Sequence, residues 1–359
     1  MTLHRVSKAP AAASLPPAVL NAYEIHPPSI PEAVPRPGFS GARVFRITGE
    51  HSAWCLKALP LADVDLVRQA GLQRLQRHLA AGGLNFIAPP RLTQAGAPWV
   101  VGEDWLWQCE RWLPGEADRS ERIAPGRLRA ACQALAVWHE RARQFLPTLA
   151  EATWFRSHPA EPSPAARERA ARLRETLAEN LGELQARAWK QLPADLHPAV
   201  DIIVGEVRRR GRAVAGELER WQSRPLPIQP CLRDVWREHV LFVQDRVTGL
   251  IDPQAARCDS PAVDLARLLG SLCGSDPEAW HQGLNAYSAI RPLSLIESSL
   301  IPVLDQSGCL LAGLHWIGRL LRSAEIEADG LTAAKDRLWH FASRLAAGAI
   351  RIEGSSLTV

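Results

Sequence analysis

Apolar and polar positions change period partway along the chain. Up to about residue 115 the apolar positions fall in short β-type runs: "ARVFRIT" (42–48), "SAWCLKAL" (52–59), "PWVVG" (98–102) and "WLWQCERWL" (105–113). Gly, Asn and Asp separate these runs, which predicts strands joined by turns. One stretch between them, 61–83, carries Val67, Leu72, Leu75 and Leu79 at mostly three- and four-residue steps and ends at Gly82-Gly83, which predicts a helix. "LPGEAD" (113–118) breaks the pattern. Long helical stretches follow at 126–145, 163–192 and 198–222, and again at 261–273, 292–321 and 333–350. A hairpin built on "VLFV" (240–243) and "GLI" (249–251) interrupts them. The chain therefore reads as an α+β protein. Residues 1–30, rich in Pro and Ala, form a loose arm; 31–112 form a small β-rich lobe; 113–359 form a large helical lobe with one hairpin.

Composition changes this picture little. Of 359 residues, 47% are hydrophobic and 22% charged, as in an ordinary globular protein. A net charge of +4 is mildly basic, which fits an anionic small ligand and equally fits no particular partner. The basic run Arg208-Arg209-Arg210-Gly211-Arg212 lies in an Arg- and Glu-rich helical stretch, so it reads as a solvated helix face and not as a nucleic-acid patch. Seven scattered cysteines without a CxxC pair predict reduced thiols in a cytoplasmic protein. The N-terminal stretch lacks a signal-peptide core, and no run predicts a membrane span.

Four local features carry chemistry. "PGFSGARVFRI" (37–47) places Gly38, Ser40 and Gly41 in a turn whose backbone N–H groups can close over phosphates; a plain hairpin turn has the same glycines. Lys57 sits in the middle of an apolar strand, where an ammonium needs an anion unless the strand is an exposed edge. Asp234 is followed five residues later by His239, then by the strand "VLFV", and 18 positions later by Asp252 behind Leu250-Ile251. Two carboxylates at strand ends, separated by a hairpin, can face one cleft and share a hard cation. Asp264 opens the next helix, where the macrodipole alone also favours an acid.

In this order and spacing the chain resembles the aminoglycoside phosphotransferase and choline kinase branch of the protein-kinase-like superfamily, over about residues 38–270. The resemblance implies a bilobal fold with ATP and Mg²⁺ or Mn²⁺ between the lobes, and transfer of the γ-phosphoryl group to a small hydroxylated substrate. It places Gly38, Ser40, Gly41 and Lys57 on the phosphates, and the backbone of the connection Glu110-Arg111-Trp112-Leu113, with Glu110 and Trp112 singled out, on the adenine. Asp234 becomes the base, preceded by Arg233. Asp252 becomes the metal ligand, and Asp264 orders the catalytic loop. Trp105 and Trp107 either stack on the base or pack the core. The chain departs from the family in three ways. His239 replaces an Asn, and imidazole suits manganese or zinc better than magnesium. Leu232-Arg233 replaces His-Gly. The helix at 61–83 has no Glu for Lys57, which leaves Asp63, Asp65, Glu103 or Asp104 as its partner. Two classes stay open: an active small-molecule kinase, and a degenerate kinase fold that binds nucleotide or a partner without turnover. Glu297, Asp305, Glu325 and Glu327 are the acids available to grip a cationic acceptor.

Overall fold

The computed structural model describes residues 15–25, 32–34, 41–49, 52–322 and 328–348. The small lobe comprises α1 (Pro17–Ala22), β1 (Glu32–Ala33), β2 (Arg43–Thr48), β3 (Ala53–Pro60), α2 (Leu66–Ala81), β4 (Val100–Gly102) and β5 (Trp105–Arg111). Its strands form one antiparallel sheet in the order β1-β2-β3-β5-β4. β3 and β5 are buried along most of their length, because α2 covers one face of the sheet and an apolar cluster covers the other.

For residues 15–25 that second cluster corrects the expectation of a loose arm over 1–30; residues 1–14 and 26–30 lie outside the described residues. Val19, Tyr23 and Ile25 are buried with Phe45, Ile47, Leu56, Trp105 and Trp107. Pro17 at the first helical position starts α1, and the Tyr23 hydroxyl donates to the Trp107 carbonyl at 3.0 Å. Trp105 and Trp107 are thus core residues and do not face a ligand.

α2 links the two lobes. Asp65 caps it by accepting from the Arg68 N–H at 2.9 Å. Its leucines, Leu72, Leu75 and Leu79, join the core of the large lobe. Its glutamine face looks at the sheet, where Gln69 Nε2 donates to Gln108 Oε1 on β5 at 2.7 Å. The chain leaves the small lobe through a turn at Gly115, which sits at φ +101°. A Cβ there would lie 2.5 Å from Thr248 Oγ1 and 2.6 Å from the Phe242 carbonyl oxygen, so only glycine fits.

The large lobe holds β6 (Glu116–Ala117), α3 (Pro125–Ala142), α4 (Ala152–Phe155), β7 (His158–Glu161), α5 (Pro164–Ala178), α6 (Leu181–Gln191) and α7 (His197–Trp221). It continues with β8 (Leu226–Cys231), β9 (Val240–Val243), β10 (Arg246–Leu250), β11 (Arg257–Asp259), α8 (Ala262–Cys273), α9 (Pro277–Ser288), α10 (Leu295–Leu320) and α11 (Ala328–Ala347). Two three-stranded sheets, β10-β9-β6 and β11-β8-β7, carry the loops on which the candidate site is built. The single helix expected over 163–192 is two, because Asn180 caps a second one by accepting from the N–H groups of Gly182 and Glu183. α10 keeps Pro302 inside it. It is the one helix among the described residues long and apolar enough to cross a membrane, and 61% of its most apolar window is buried in the core.

Candidate functional site

Lys57 lies on the α2-facing side of β3, in register with Gln108 on β5. Its ammonium meets Glu110, one position of the same face further along β5, at 2.5 Å, and both side chains are buried. The anion that Lys57 needs is therefore supplied across the sheet. Asp63, Asp65, Glu103 and Asp104 do not supply it, and the helix contributes Gln69 to brace Gln108. Burial works against the ammonium. Glu110, then Cys55 and Asp252, outweigh it and hold Lys57 above its ordinary pKa. The same burial pushes the Cys55 thiol up to about 12, which makes it inert.

This pairing narrows the reading of the connection 110–113, in which Glu110 and Trp112 are singled out. Glu110 acts through its side chain. The Trp112 N–H donates back to Ala53 at 2.9 Å, and the Trp112 ring carries the Arg46 guanidinium 5.0 Å from its centroid. By alternation along an antiparallel strand, Glu110 turns its backbone groups to β3 and Arg111 turns its own away. Cys109, which has the same outward sense, gives its carbonyl to the Arg91 N–H at 2.7 Å. The outward-facing backbone edge beside the lobe connection thus belongs to Arg111. Gly41 sits at φ +73°, the left-handed conformation that the turn before β2 requires. Gly38 and Ser40 lie outside the described residues.

The second half of the site is the loop after β8. Asp264, in the first turn of α8, is wholly buried. One of its oxygens accepts from the Leu232 N–H at 2.7 Å and the other from the Arg233 N–H at 2.6 Å. These bonds hold Arg233 at φ +63° and so fix where Asp234 leaves the loop. The His139 ring completes the network, with Nε2 3.0 Å from Asp264 and Nδ1 2.8 Å from the Tyr287 hydroxyl. Asp264 accepts, so Nε2 carries the proton and Nδ1 accepts from the Tyr287 O–H.

Arg233 does not stand beside Asp234 as a catalytic group. Its guanidinium turns away to the exposed Glu168 at 2.6 Å and the buried Asp259 at 3.3 Å. Asp234 instead has two neighbours that spacing did not disclose. Trp236 Nε1 donates to Asp234 Oδ1 at 2.8 Å, and Arg267 Nη2 from α8 lies 3.4 Å from the same oxygen. The carboxylate remains 44% exposed, so a ligand can reach it.

His239 and Asp252 come together. His239 Nδ1 is 2.8 Å from the Asp234 carbonyl and 3.5 Å from the Trp236 N–H; the shorter contact, to an acceptor, assigns the proton to Nδ1. Its Nε2 therefore keeps a lone pair, and it faces Asp252 Oδ2 at 3.9 Å. One nitrogen and one carboxylate oxygen at that separation fit a shared divalent cation. Asp252 adopts φ +57° just after β10; its charge acts on both Lys57 and Cys55, and the Arg68 guanidinium of α2 donates to the Gln254 carbonyl and, at 3.3 Å, to that of Ala256, so the loop after β10 lies against the small lobe.

The acids considered for a cationic acceptor are already engaged or cannot be placed. Glu297 is buried against Arg291 at 2.7 Å, and Asp305 against Arg344 at 2.7 Å. Glu325 and Glu327 lie outside the described residues.

Two histidines, His139 wholly buried and His340 half-buried, set a pH limit on this lobe. Burial pushes His139 below its ordinary pKa of 6.5. Burial, followed by Arg344, Arg337, Arg237 and Arg267, pushes His340 down to about 3. An unfolded chain takes up protons near pH 6.5 that these folded rings refuse, so stability should fall as pH drops below 6.5. Each ring contributes about 1.4 kcal/mol per pH unit well inside its window. Urea unfolding of His340→Gln between pH 6 and 4 should show a slope shallower by one such share; an unchanged slope would count against the assignment.

A family model described as "Phosphotransferase enzyme family" matches residues 33–294. Homoserine kinase from Methylobacterium radiotolerans is 30% identical over 159 residues, 43% of this chain and 48% of that protein. Homoserine kinase from Granulibacter bethesdensis is 30% identical over 248 residues, 66% of this chain and 65% of that protein. The chain spans about half the length of most of these curated relatives. Among solved structures, an aminoglycoside phosphotransferase from Alicyclobacillus acidocaldarius superposes with a TM-score of 0.58 at 20% identity, over 96% of each chain. An amicoumacin kinase in complex with AMP-PNP, Ca²⁺ and Ami superposes at 0.59 and 13% identity, over 91% of this chain and 92% of that one. At these identities the superpositions speak for the fold.

Proposed function

The chain belongs to the phosphotransferase enzyme family, and from that premise we propose that it transfers the γ-phosphoryl group of ATP to a hydroxyl of a small molecule. The observation that carries this reading is the convergence of Lys57, Asp252 and His239 on one cleft beside the exposed Asp234 carboxylate.

The nucleotide lies against residues 31–112 and the acceptor against the helical lobe. The Arg111 backbone receives the adenine edge. Lys57, kept charged by Glu110, pairs with phosphate oxygens, and the Gly41 turn lets the backbone approach them. Asp252 and His239 Nε2 hold a divalent cation, which when bound spreads the charge of the transferring phosphoryl group. Asp234 orients the acceptor hydroxyl and takes its proton. The acceptor oxygen bonds to the γ-phosphorus as the bond to the β–γ bridging oxygen breaks, and ADP leaves with that electron pair.

ATP with Mg²⁺ or Mn²⁺ should raise the melting temperature. Saturation at 100 times Kd contributes about 2.7 kcal/mol, which corresponds to several degrees in differential scanning fluorimetry. No shift at millimolar nucleotide would remove the nucleotide reading. A shift without ADP formation from any acceptor would favour a nucleotide-binding protein without turnover. His239→Asn should move the metal preference from Mn²⁺ towards Mg²⁺, because it replaces nitrogen by oxygen at the cation. Unchanged metal dependence would make His239 a structural residue, held by the Asp234 carbonyl.

A further inference from the structure

An aspartate carboxylate turns on a torsion that is broad and nearly two-fold. An exposed one exchanges its two oxygens unless something holds one of them. Both neighbours of the Asp234 carboxylate hold the same oxygen. Trp236 Nε1 donates to Oδ1 at 2.8 Å, and Arg267 Nη2 lies 3.4 Å from Oδ1. Among the described residues Oδ2 accepts no hydrogen bond, and the carboxylate is 44% exposed.

The indole that holds Oδ1 is itself held. Trp236 is buried, and two guanidinium groups lie over its ring, Arg337 of α11 at 3.9 Å from the centroid and Arg267 of α8 at 4.6 Å. Phe341 meets the ring edge-on at 5.7 Å and 79°. Arg337 is tied in turn to Glu238, two residues after the indole, at 2.8 Å. A buried indole N–H needs only some acceptor, and a backbone carbonyl is enough, as the Gly274 carbonyl is for Trp280 at 2.9 Å. Trp236 is aimed instead at the one carboxylate assigned to the reacting hydroxyl.

Resting on the phosphotransferase reading, we propose that Trp236 is a positioning residue that selects the reacting oxygen of Asp234. With Oδ1 occupied by the indole N–H and Arg267, Oδ2 takes the proton. The acceptor O–H bond breaks, an Oδ2–H bond forms, and the acceptor oxygen keeps the electron pair with which it bonds to the γ-phosphorus. The carboxylate is thus ordered by the fold before substrate binds. α11 takes part through Arg337 and Phe341, which seat the ring.

ADP formation from ATP and Mg²⁺ is measured with L-homoserine, choline, kanamycin and no added acceptor. Trp236→Phe keeps an aromatic ring against Arg337 and removes the donor. It should lower kcat by about tenfold or more, while KM for ATP and the melting shift caused by ATP change little. Combined with Asp234→Asn it should lose no more rate than Asp234→Asn alone, because Trp236 acts through that carboxylate; two independent structural effects would add. A normal kcat in Trp236→Phe, or additive losses, overturns the proposal and leaves Asp234 as the base. In protein labelled with ¹⁵N-tryptophan, the signal among 13 indole N–H groups that Trp236→Phe removes belongs to Trp236. It should move upfield in Asp234→Asn, because a neutral acceptor binds the proton more weakly than a charged one; an unmoved signal overturns the proposal. Should Trp236→Phe not fold, Arg337→Gln loosens the ring and should also lower kcat, again without adding to Asp234→Asn, and an unchanged kcat overturns the proposal. If the unaltered protein binds nucleotide but forms no ADP with any of these acceptors, the turnover reading fails and this proposal fails with it.

Discussion

Asp234→Ala should lower phosphoryl transfer by about 10²- to 10⁴-fold, the range of a general base in its transition state, while the melting-temperature shift caused by ATP and metal stays near that of the unaltered protein. Three observations set this expectation. The Asp234 carboxylate is exposed, so removing it uncovers no buried partner beyond Trp236 Nε1 and Arg267. The loop that carries it is fixed by backbone bonds to Asp264, which the substitution leaves alone. The groups assigned to nucleotide and cation, Lys57, Asp252 and His239, are other residues. The loss therefore belongs to kcat. Asp234→Asn keeps an oxygen for the indole N–H and removes only the basicity, so it should lose nearly as much rate as alanine. Transfer at the unaltered rate in either variant would refute Asp234 as the base. Loss of the nucleotide-induced shift would mean that Asp234 holds the cation instead.

Lys57 stands out inside "WCLKALP" because burial of a charge requires a reason, and it is buried. Asp252 and Asp264 stand out by their spacing after Asp234 and by their places behind a strand and at the start of a helix; Asp264 is buried and Asp252 is exposed. The strands of the small lobe stood out because their apolar runs are clean and glycine-bounded. What was not legible depends on register or on long-range contacts. Glu110 meets Lys57 only because β3 and β5 pair with Cys55 opposite Glu110, and no spacing rule along one strand contains that. Arg233 turns from Asp234 because Glu168 and Asp259, far away in sequence, are closer partners. Strands β7, β8 and β11 are short, and the prolines of "LPIQPC" in β8 read as loop. α9 was missed even though Asp276 and Pro277 spell its start, with Asp276 accepting from the Glu278 and Ala279 N–H groups.

The largest stability effect should come from Asp264→Ala. The carboxylate accepts two backbone N–H groups and the His139 ring N–H in a site with no exposure. Alanine leaves these donors buried and unpaired, and it releases Arg233 from its left-handed conformation. Each orphaned donor costs about 1–3 kcal/mol, and relaxation of the loop recovers part of the sum, so a loss of about 3–5 kcal/mol is expected in urea unfolding at pH 7.5. Asp264→Asn keeps one acceptor oxygen and turns an NH₂ towards a donor, so its loss should fall between alanine and the unaltered protein. Activity separates a positioning role from a structural one. If Asp264 only stabilises the lobe, each variant should transfer phosphate at the normal rate per folded molecule, measured well below its melting temperature. If Asp264 positions Asp234, kcat per folded molecule should fall by about tenfold or more in both variants, since small misplacement of a catalytic group is enough for such a loss, while KM for ATP changes little. The second outcome is expected, because the two backbone groups that Asp264 holds belong to the residues immediately before Asp234 in the chain.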